Sequence, residues 1–325
     1  MNRQSFLLAA ALAGLAAGLS LPAAAADEFP QRPITLVVPW PAGGNTDAVS
    51  RALALQLGNQ LGKAVVVENR AGANGQIGAA SVARAVPDGY TLLVASAETH
   101  SITSAAKRMP YDPQKDFQPI GSFAINPFMV VARATLPVRD IKSLVAYAQA
   151  NPGKLNYGSW GAGSTGQIAM EMFKLQAGIN MVHVPFNGTA PAETALLGGQ
   201  IDLLVMPVGR AVAVNPTGKI TVIAAMTSSR TPLMPEVATL REAGYDSLVA
   251  ANWFGIVAPA KTPDSAVARL SSALDVALAS GELQSAFRGR GVDLIKQSPA
   301  TFQRFIADEH ARWSSTVANA KIDLN

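Results

Sequence analysis

The sequence predicts an α/β fold with two domains around a ligand cleft. Segments with the apolar content of buried strands alternate with segments of helical spacing almost from end to end, which favours largely parallel sheets. Two long apolar stretches, residues 120–133 and 248–258, lead out of a first α/β unit and back into it. Two such crossings make a hinge, and a small ligand would bind in the cleft beside it. We expect domain 1 to comprise residues 27–125 and 252–325, and domain 2 residues 126–251.

The first domain is expected to begin with three strand-loop-helix units. The first helix carries Val49, Leu53, Leu57 and Leu61 at intervals of four, which is the spacing of one helix face. The turn Pro-Asp-Gly at 87–89 leads into the third strand. The predicted strands cover residues 34–38, 65–68 and 90–95.

The second domain repeats this alternation. A helix over 140–150 ends at Asn-Pro-Gly and a helix over 165–177 ends at Gly178, because these residues favour helix termination. After the second crossover, amphipathic helices follow at 264–279 and near the C terminus, and we interpret their apolar faces as core. The remaining predicted elements are strands at 155–158, 181–184, 201–206 and 220–226 and a helix at 191–197.

Residues 1–26 have the pattern of a secretory signal. Arg3 is the only charge, residues 6–21 are apolar, and three alanines at 24–26 provide a small-residue cleavage site. An uncleaved membrane anchor is the alternative, but the apolar run is short, rich in Ala and Gly, and followed by Pro22. We expect cleavage near Ala26 and a location in the periplasm.

Composition excludes several classes of function. The chain has no cysteine, which rules out disulfides, thiol nucleophiles and thiolate metal sites. Removing Arg3 from the 26 basic residues leaves 25 against 22 acidic ones, and no basic run is interleaved with aromatics, so nucleic acid is not an expected partner. The three histidines, His100, His183 and His310, lack the spacing of metal ligands. We expect neither a metal nor a cofactor.

The loop at residues 39–47, Pro-Trp-Pro-Ala-Gly-Gly-Asn-Thr-Asp, is the strongest candidate site. It runs from an apolar strand through two glycines into a helix, so the free N–H groups and the positive end of the helix dipole converge there. These features favour an anion site. The alternative is an ordinary tight turn in which Asn45 or Thr46 caps the helix.

A second loop of this kind, residues 157–166, lies in domain 2. Its glycines at 158, 161, 163 and 166 allow close backbone approach, and Ser164 or Thr165 can cap the following helix. Two helix N-termini could then hold one anion from both sides of the cleft. A flexible Gly-Ser linker is the alternative, although a strand precedes the loop and an amphipathic helix follows it.

The same loop partly matches two catalytic or cofactor motifs. Residues 162–166 differ from the hydrolase pattern Gly-x-Ser-x-Gly by an Ala in the first position, so an exported serine hydrolase using Ser164 remains an alternative. Residues 161–166 match the dinucleotide pattern Gly-x-Gly-x-x-Gly, but no acidic residue follows about 20 positions later.

Other candidate residues follow predicted strands. Phe186 and Asn187 lie in a third strand-to-helix loop, where Thr189 is the expected cap and where Phe186 could line the cleft or pack beneath the loop. Glu98 and Thr99 follow the strand at 90–95, at the sheet edge where open parallel sheets bind ligands.

Several motifs in one order resemble those of the Bug-type substrate-binding proteins of tripartite tricarboxylate transporters. They are the loop at 39–47, Glu-Asn-Arg-Ala-Gly-Ala-Asn-Gly at 68–75, Pro-Asp-Gly-Tyr-Thr-Leu-Leu at 87–93, Pro-Tyr-Asp-Pro-Gln-Lys-Asp-Phe at 110–117 and Gly-Gly-Gln-Ile-Asp at 198–202. The likeness covers essentially the whole mature chain. It implies a type II-like periplasmic-binding-protein fold with two crossover strands, and a small, usually carboxylate-bearing ligand.

The resemblance also implies which residues bind. One ligand carboxylate would be held through ordered waters and backbone groups of residues 41–44 and 71–74, and Asp47 would fix the loop. Asp202 matches an acid of the family's Gly-Gly-x-x-Asp segment. Taken together, the candidate ligand-binding residues are Trp40, Pro41, Ala42, Gly43, Gly44, Asp47, Ala73, Asn74, Glu98, Thr99, Trp160, Gly163, Ser164, Thr165, Phe186, Asn187 and Asp202.

Two positions depart from the family pattern. Trp160 stands where a small or polar residue is expected, and Glu98 lies in a loop that is usually rich in Gly, Ala or Asn. They favour an aromatic acid stacked on Trp160, or a ligand with an amine or hydroxyl facing Glu98, over a plain dicarboxylate. We expect a monomeric, non-catalytic binding protein that delivers a dicarboxylate, tricarboxylate or aromatic acid to a membrane permease, or alternatively signals through a sensor receptor.

Overall fold

The computed structural model describes residues 29–320, so the predicted signal and its cleavage site lie outside the described residues. Strands and helices alternate as expected of an α/β protein. The strands are β1 (Ile34–Val38), β2 (Val65–Asn69), β3 (Thr91–Ser96), β4 (Phe117–Arg133), β5 (Asn156–Ser159), β6 (Val182–Pro185), β7 (Leu203–Pro207), β8 (Ile220–Ala225), β9 (Ala251–Pro259) and β10 (Asp293–Gln297).

The helices connect these strands on both faces of the sheet, and none within residues 29–320 is long and apolar enough to cross a bilayer. A buried π-helical turn, Glu98–Ile102, follows β3. The α-helices are α1 (Asn45–Leu61), α2 (Gln76–Ala83), α3 (Thr103–Ala106), α4 (Ile141–Ala150), α5 (Thr165–Ala177), α6 (Thr189–Leu197), α7 (Val208–Val214), α8 (Asp264–Leu278), α9 (Gly281–Arg288) and α10 (Pro299–Ala320).

One continuous sheet path runs through both domains in the order β2-β1-β3-β9-β4-β7-β5-β6. In each half, the strands farthest from the crossover pair in parallel: β1 with β2 and β3, and β5 with β6 and β7. The carboxyl ends of these parallel strands carry the loops that reach the cleft. This is the edge at which open α/β sheets bind ligands.

The long strand β4 joins the two halves. Its first part pairs antiparallel with β9 and β10, and its last part pairs with β7 and β8. Asn126 and Pro127 interrupt the apolar run of this segment, but β4 continues through both residues, and Asn126 lies opposite Asn252 of β9. The predicted domain boundaries, at residues 126 and 252, therefore coincide with two residues that are paired across β4 and β9.

Apolar packing holds both halves together. Helices α1 and α8 cover one face of the domain 1 sheet, and Leu53, Leu57, Leu270 and Leu274 belong to the same buried cluster. A larger cluster continues from domain 1 into domain 2, including Leu93 on β3 and Ile168 on α5. The described aromatic residues of α10, Phe302 and Trp313 among them, belong to this core, as their helical spacing predicted.

Sequence patterns located most of these elements but missed five. Helix α5 has the predicted limits, and α4 begins one residue after its predicted start because Asp140 is its N-cap, with a side chain that accepts from the Ser143 N–H. The π-helical turn, α3, α7, α9 and β10 were not predicted. All five are short, and short segments carry too few periods for a clear pattern.

Candidate ligand-binding site

A cleft of about 670 Å³, its open mouth included, lies between the two domains beside the crossover strands. Residues from both domains and from β4 and β9 line it. They are Trp40, Pro41, Ala42, Gly44, Asn45, Thr46, Asn126, Phe128, Trp160, Asn187, Gly188, Thr189, Ala190, Pro191, Pro207, Asn252 and Phe254.

The N-terminus of α1 opens directly into this cleft. Gly44 occupies the N-cap position in an extended conformation, and no side chain caps the helix. Asn45 and Thr46, the caps expected for an ordinary turn, are instead the first helical residues. The first N–H groups of a helix without a side-chain cap are available to an anion, and the helix dipole favours negative charge there.

Asp47 holds this loop from below rather than lining the cleft. Its Oδ2 accepts from the Gly43 N–H at 3.0 Å, and its Oδ1 accepts from Asn69 Nδ2 at 2.9 Å. Burial alone would raise the pKa of this carboxyl, but the hydrogen bonds from Arg51, Gly43 and Asn69 and the charge of Arg51 hold the pKa below its usual value. Asp47 is therefore ionised and committed to the loop, the structural role that the sequence suggested.

Domain 2 contributes a second open helix N-terminus, that of α6. Its N-cap is Gly188, with φ 106° and no side-chain cap; Thr189, expected to be the cap, is the first helical residue. The Gly188 N–H donates to the Trp160 carbonyl at 3.3 Å, and Pro191 has no N–H to offer. The N–H groups of Thr189 and Ala190 are therefore the two that this terminus can direct at an anion.

The two open termini lie at the same end of the cleft because the loops that carry them touch. A Cβ built on Gly188 would be 3.7 Å from the Pro41 ring. The domains also meet through backbone elsewhere, since a Cβ on Gly209 of α7 would be 1.8 Å from the Arg290 carbonyl oxygen. Only glycine permits such an approach at position 209.

Three buried polar atoms of the lining residues have no partner within residues 29–320. Trp40 Nε1 and Asn45 Nδ2 are donors, the latter on the first residue of α1, and Asn126 Oδ1 is an acceptor on β4. Unpaired polar atoms are costly when buried, so each is a position for a ligand atom or a water. The other lining residues include three aromatic residues and three prolines, and Phe128 and Trp160 pack with ring centroids 5.0 Å apart.

In the structure, several polar groups of the loop at 157–166, which we predicted to be the second half of the anion site, bond within the protein. Ser164 is fully buried and caps α5, accepting from the Gln167 N–H at 3.4 Å. The Gly163 N–H donates to Gln167 Oε1, and the Gly163 carbonyl accepts from the Thr103 hydroxyl. Thr165 is buried and donates to Glu98 at 2.8 Å. The side chains of Ser164 and Thr165 and the backbone groups of Gly163 are therefore occupied within the protein.

Glu98 does not face the cleft either, although its loop lies at the expected sheet edge. Its side chain is fully buried and accepts four hydrogen bonds. One oxygen accepts from Trp160 Nε1 at 3.2 Å and Thr165 Oγ1 at 2.8 Å, and the other from Ser96 Oγ at 3.0 Å and Asn252 Nδ2 at 2.7 Å. The carboxylate is saturated, so it cannot hold a ligand amine or hydroxyl as predicted.

The remaining candidates of domain 1 also lie off the cleft surface. Ala73 and Asn74 have φ of 47° and 53° in the turn behind Trp40, where the Asn74 amide donates to Thr103 Oγ1. Thr99 is buried, and its hydroxyl accepts from the Ser96 N–H. These residues support the walls of the cleft and do not line it.

Two candidates of domain 2, Phe186 and Asp202, also contact the protein rather than the cleft. Phe186 packs beneath its loop, close to Gly158, which was the alternative to lining the cleft. Asp202 pairs with Arg133 and accepts from the Asn156 N–H at 2.9 Å. It precedes β7, whose opposite end reaches the cleft at Pro207, about 15 Å away at the usual rise per residue of a strand.

The candidates that do line the cleft are Trp40, Pro41, Ala42, Gly44, Trp160 and Asn187. Sequence reasoning missed Asn126 and Asn252, although a signal was present, because each interrupts an apolar crossover segment. It also missed the start of α6 and the apolar residues Phe128, Pro207 and Phe254. Their strand or loop positions gave no sign of which side chains would face the cleft.

The described residues contain no cluster of His, Asp and Glu suited to a metal. A hydrolase centred on Ser164 finds no support either. Ser164 is buried, and the histidine of domain 2, His183, contacts Ser159 at 2.7 Å instead. Ser159 is itself fully buried and its hydroxyl lies 3.1 Å from the Gly161 carbonyl, so it is committed to the loop.

Comparison with known proteins agrees with the resemblance found in the sequence. The model of the tripartite tricarboxylate transporter family receptor matches residues 49–322. The protein BugT of Bordetella pertussis is 34% identical over 309 residues, which cover 94% of this chain and 93% of that protein.

Two similar solved structures contain a ligand. Rpa4515 of R. palustris, described with adipate, has a TM-score of 0.86 and 33% identity, covering 90% of this chain and 99% of that one. MatC from Rhodopseudomonas palustris, with bound malate, has a TM-score of 0.83 and 32% identity, covering 89% and 100%. The predicted fold, that of a periplasmic binding protein, is confirmed, and this chain belongs to the receptors of the tripartite tricarboxylate transporter family.

Proposed function

We propose that this chain captures a small organic carboxylate in the periplasm by closure of its two domains and presents it to the permease of a tripartite tricarboxylate transporter. The observation that carries the proposal is the pair of helix N-termini without side-chain caps, one from each domain, at one end of a single cleft. Backbone N–H groups and two helix dipoles at one point favour an anion without any basic side chain.

The ligands of relatives support this assignment. The similar structures named above contain adipate and malate, both carboxylates. In this chain, the unpartnered donors Trp40 Nε1 and Asn45 Nδ2 belong to lining residues of the cleft, where they can complete the coordination of a carboxylate. Bonds from N–H groups to a carboxylate are charge-assisted and stronger than neutral ones.

Closure is part of the proposal because each domain supplies only half of the anion site. We place the hinge where β4 and β9 run side by side at Asn126 and Asn252, with domain 1 on residues 27–125 and 252–325 and domain 2 on 126–251. A ligand that bridges α1 and α6 would stabilise the arrangement in which Pro41 meets Gly188.

The exported form is expected to act as a monomer after removal of the signal near Ala26 and to bind without catalysis. Neither the Ser164 environment nor the Ser159–His183 pair offers an exposed nucleophile. Binding without turnover also suits a receptor whose task is delivery.

A thermal-unfolding screen of the purified exported form at pH 7 tests the proposal. Malate, adipate, benzoate and their uncharged amides are the probes. At a concentration 100 times its dissociation constant, a carboxylate should stabilise the protein by about 2.7 kcal/mol and remain chemically unchanged. Stabilisation by the amides but by no acid would contradict the proposal, as would consumption of a probe.

A further inference from the structure

We propose that the preferred ligand is a monocarboxylate with a flat apolar body and a neutral hydrogen-bond donor at its far end. This inference rests on the function proposed above and names the ligand class for the same cleft. It differs from the plain dicarboxylates bound by the similar structures.

The cleft offers one position for negative charge. The N-termini of α1 and α6 open at the same end, where Pro41 meets Gly188, so they converge on one carboxylate rather than on two separated ones. None of the described residues that line the cleft is Lys, Arg or His. A second carboxylate beyond this end would be buried without a compensating charge, which is strongly unfavourable.

The middle of the cleft suits a flat apolar group. Trp160 and Phe128 form a tilted pair with an interplanar angle of 39°, and Phe254 lines the same cavity. Pro41, Pro191 and Pro207 add further apolar surface. Aromatic walls gain most from a ring that can stack or approach edge to face.

Glu98 fixes this aromatic surface from behind. It binds Trp160 Nε1 and so sets the orientation of the indole, while Gly166 allows that ring to lie against α5; a Cβ at Gly166 would be 2.7 Å from it. The same carboxylate binds Asn252 Nδ2, and the Ala97 N–H donates to Asn252 Oδ1 at 3.0 Å. Glu98 is thus a positioning residue for two lining side chains that come from different segments of the chain.

Beside the crossover strands, the cleft presents an acceptor that requires a donor from the ligand. Asn126 is 4% exposed, and its Oδ1 is buried without a partner within residues 29–320. Asn252, directly opposite, is already oriented by Glu98 and Ala97. A hydroxyl of the ligand would satisfy Asn126, whereas a carboxylate oxygen there would face another acceptor.

Calorimetric titration at pH 7 tests this inference with benzoate, the three hydroxybenzoates, terephthalate, adipate and malate. We expect one hydroxybenzoate to bind tightest, about five- to tenfold above benzoate, which is the usual value of one hydrogen bond. Terephthalate, adipate and malate should bind at least about tenfold more weakly. Tighter binding of any of these three would overturn the inference but leave the proposed function intact, whereas binding of none of the seven acids would overturn both.

Variants test the roles of Asn126 and Glu98 separately. Asn126→Ala should bring the preferred hydroxybenzoate to the affinity of benzoate, and an unchanged ratio would contradict the role of Asn126. Glu98→Gln places an amide N–H against groups that donate to Glu98, such as Trp160 Nε1. The affinity for benzoate should therefore fall about tenfold, and the tryptophan emission should shift. Glu236→Gln, on the exposed surface, is the matched control and should change neither.

If Glu98→Gln fails to fold, Trp160→Phe tests the same role, because it keeps an aromatic ring and removes the Nε1 donor to Glu98 together with part of the indole. We expect this variant to retain folding and to bind benzoate several-fold more weakly, because the ring is no longer oriented. Unchanged benzoate affinity in a folded Trp160→Phe protein would contradict the positioning role of Glu98.

Discussion

Two glycine-rich loops of this chain look alike in sequence and differ in structure. Both run from a strand into a helix, one at residues 39–47 and the other at 157–166. The first leaves the N-terminus of α1 without a side-chain cap and open to the cleft, whereas the second caps α5 with Ser164 and ties Gly163 and Thr165 to other residues. The side chains at the start of α5 are therefore engaged within the protein, whereas the first N–H groups of α1 have no side-chain partner.

The two loops are fixed by different groups. Asp47 fixes the loop at 39–47, and Ser164, a residue of the loop itself, fixes the loop at 157–166. Asp47 binds the Gly43 N–H and lies on the helix side of the loop, so it fixes the backbone without taking the helix N–H groups that face the cleft. In the second loop, Ser164 takes a helix N–H itself. A side chain can fix the backbone of a loop without bonding to the helix N–H groups, as Asp47 does, and these N–H groups then stay available to a ligand.

The largest effect is expected from closing the open terminus. In Gly44→Asp, the new carboxylate would cap α1 and occupy the position of the ligand carboxylate, and it is sterically allowed because a Cβ at Gly44 meets only the Pro41 carbonyl oxygen at 3.6 Å. Affinity for carboxylates should fall about 100-fold or more through like-charge repulsion. Stability should rise by a few tenths of a kcal/mol, since Asp is a better cap than Gly.

Calorimetry and thermal unfolding on Gly44→Asp check both effects, and Gly44→Asn separates charge from capping. The Asn variant should lose less affinity because it adds no charge. Wild-type affinity in Gly44→Asp would show that the anion does not bind at α1.

A smaller effect is expected from a change in the loop at 157–166, and here stability should fall while affinity is kept. Ser164→Ala removes the cap of α5, so the free energy of unfolding should fall by about 1 kcal/mol while carboxylate affinity stays within about threefold. Ser280→Ala is a matched control, because Ser280 caps α9 by the same bond to the Leu283 N–H and lies far from the cleft in sequence and contacts. Urea unfolding and calorimetry measure the two quantities. A large loss of affinity with no loss of stability would restore Ser164 as a ligand contact.

An effect of similar size, but dependent on pH, is expected from Asp47→Asn, which keeps the shape of the side chain and removes its charge. The pKa of Asp47 is lowered in the folded protein, so its ionised form stabilises the fold above the unfolded pKa of about 4. That contribution is lost as the pH falls through the lower folded value. Wild type should therefore exceed Asp47→Asn in stability by about 1 kcal/mol at pH 7 and by much less near pH 2.

Urea unfolding of both proteins at several pH values measures this difference, and carboxylate affinity at pH 7 should fall about threefold in the variant. A difference in stability that did not change with pH would contradict the role of the Asp47 charge.

Sequence patterns located most of the elements and the glycine-rich loop that precedes α1. Apolar runs and helix-ending residues located β1, α1 and α5, and the two crossover segments correspond to β4 and β9. These signals are local, since each depends on residues within one segment. Resemblance to the transporter receptors added the fold family, which the comparisons confirm.

The sequence was not sufficient to say which second loop faces the cleft. Thr165 and Trp160 are held by Glu98, which lies 67 and 62 positions earlier in the chain, so the state of the 157–166 loop depends on a distant carboxylate. The start of α6 carries a single glycine and no rich motif, yet its Gly188 meets Pro41 across the cleft. Such contacts are set by tertiary packing and leave no periodic trace in the sequence.

A crystal structure of the complex with the tightest carboxylate tests the central claim most directly. We predict that its carboxylate lies within hydrogen-bond distance of the N–H groups of α1 at Asn45 or Thr46 and of α6 at Thr189 or Ala190, directly or through one water. In the complex, Ser164 should still accept from the Gln167 N–H, as it does in the structure described above. A carboxylate bound instead by the 161–165 segment, or contacting only one of the two helices, would contradict the account.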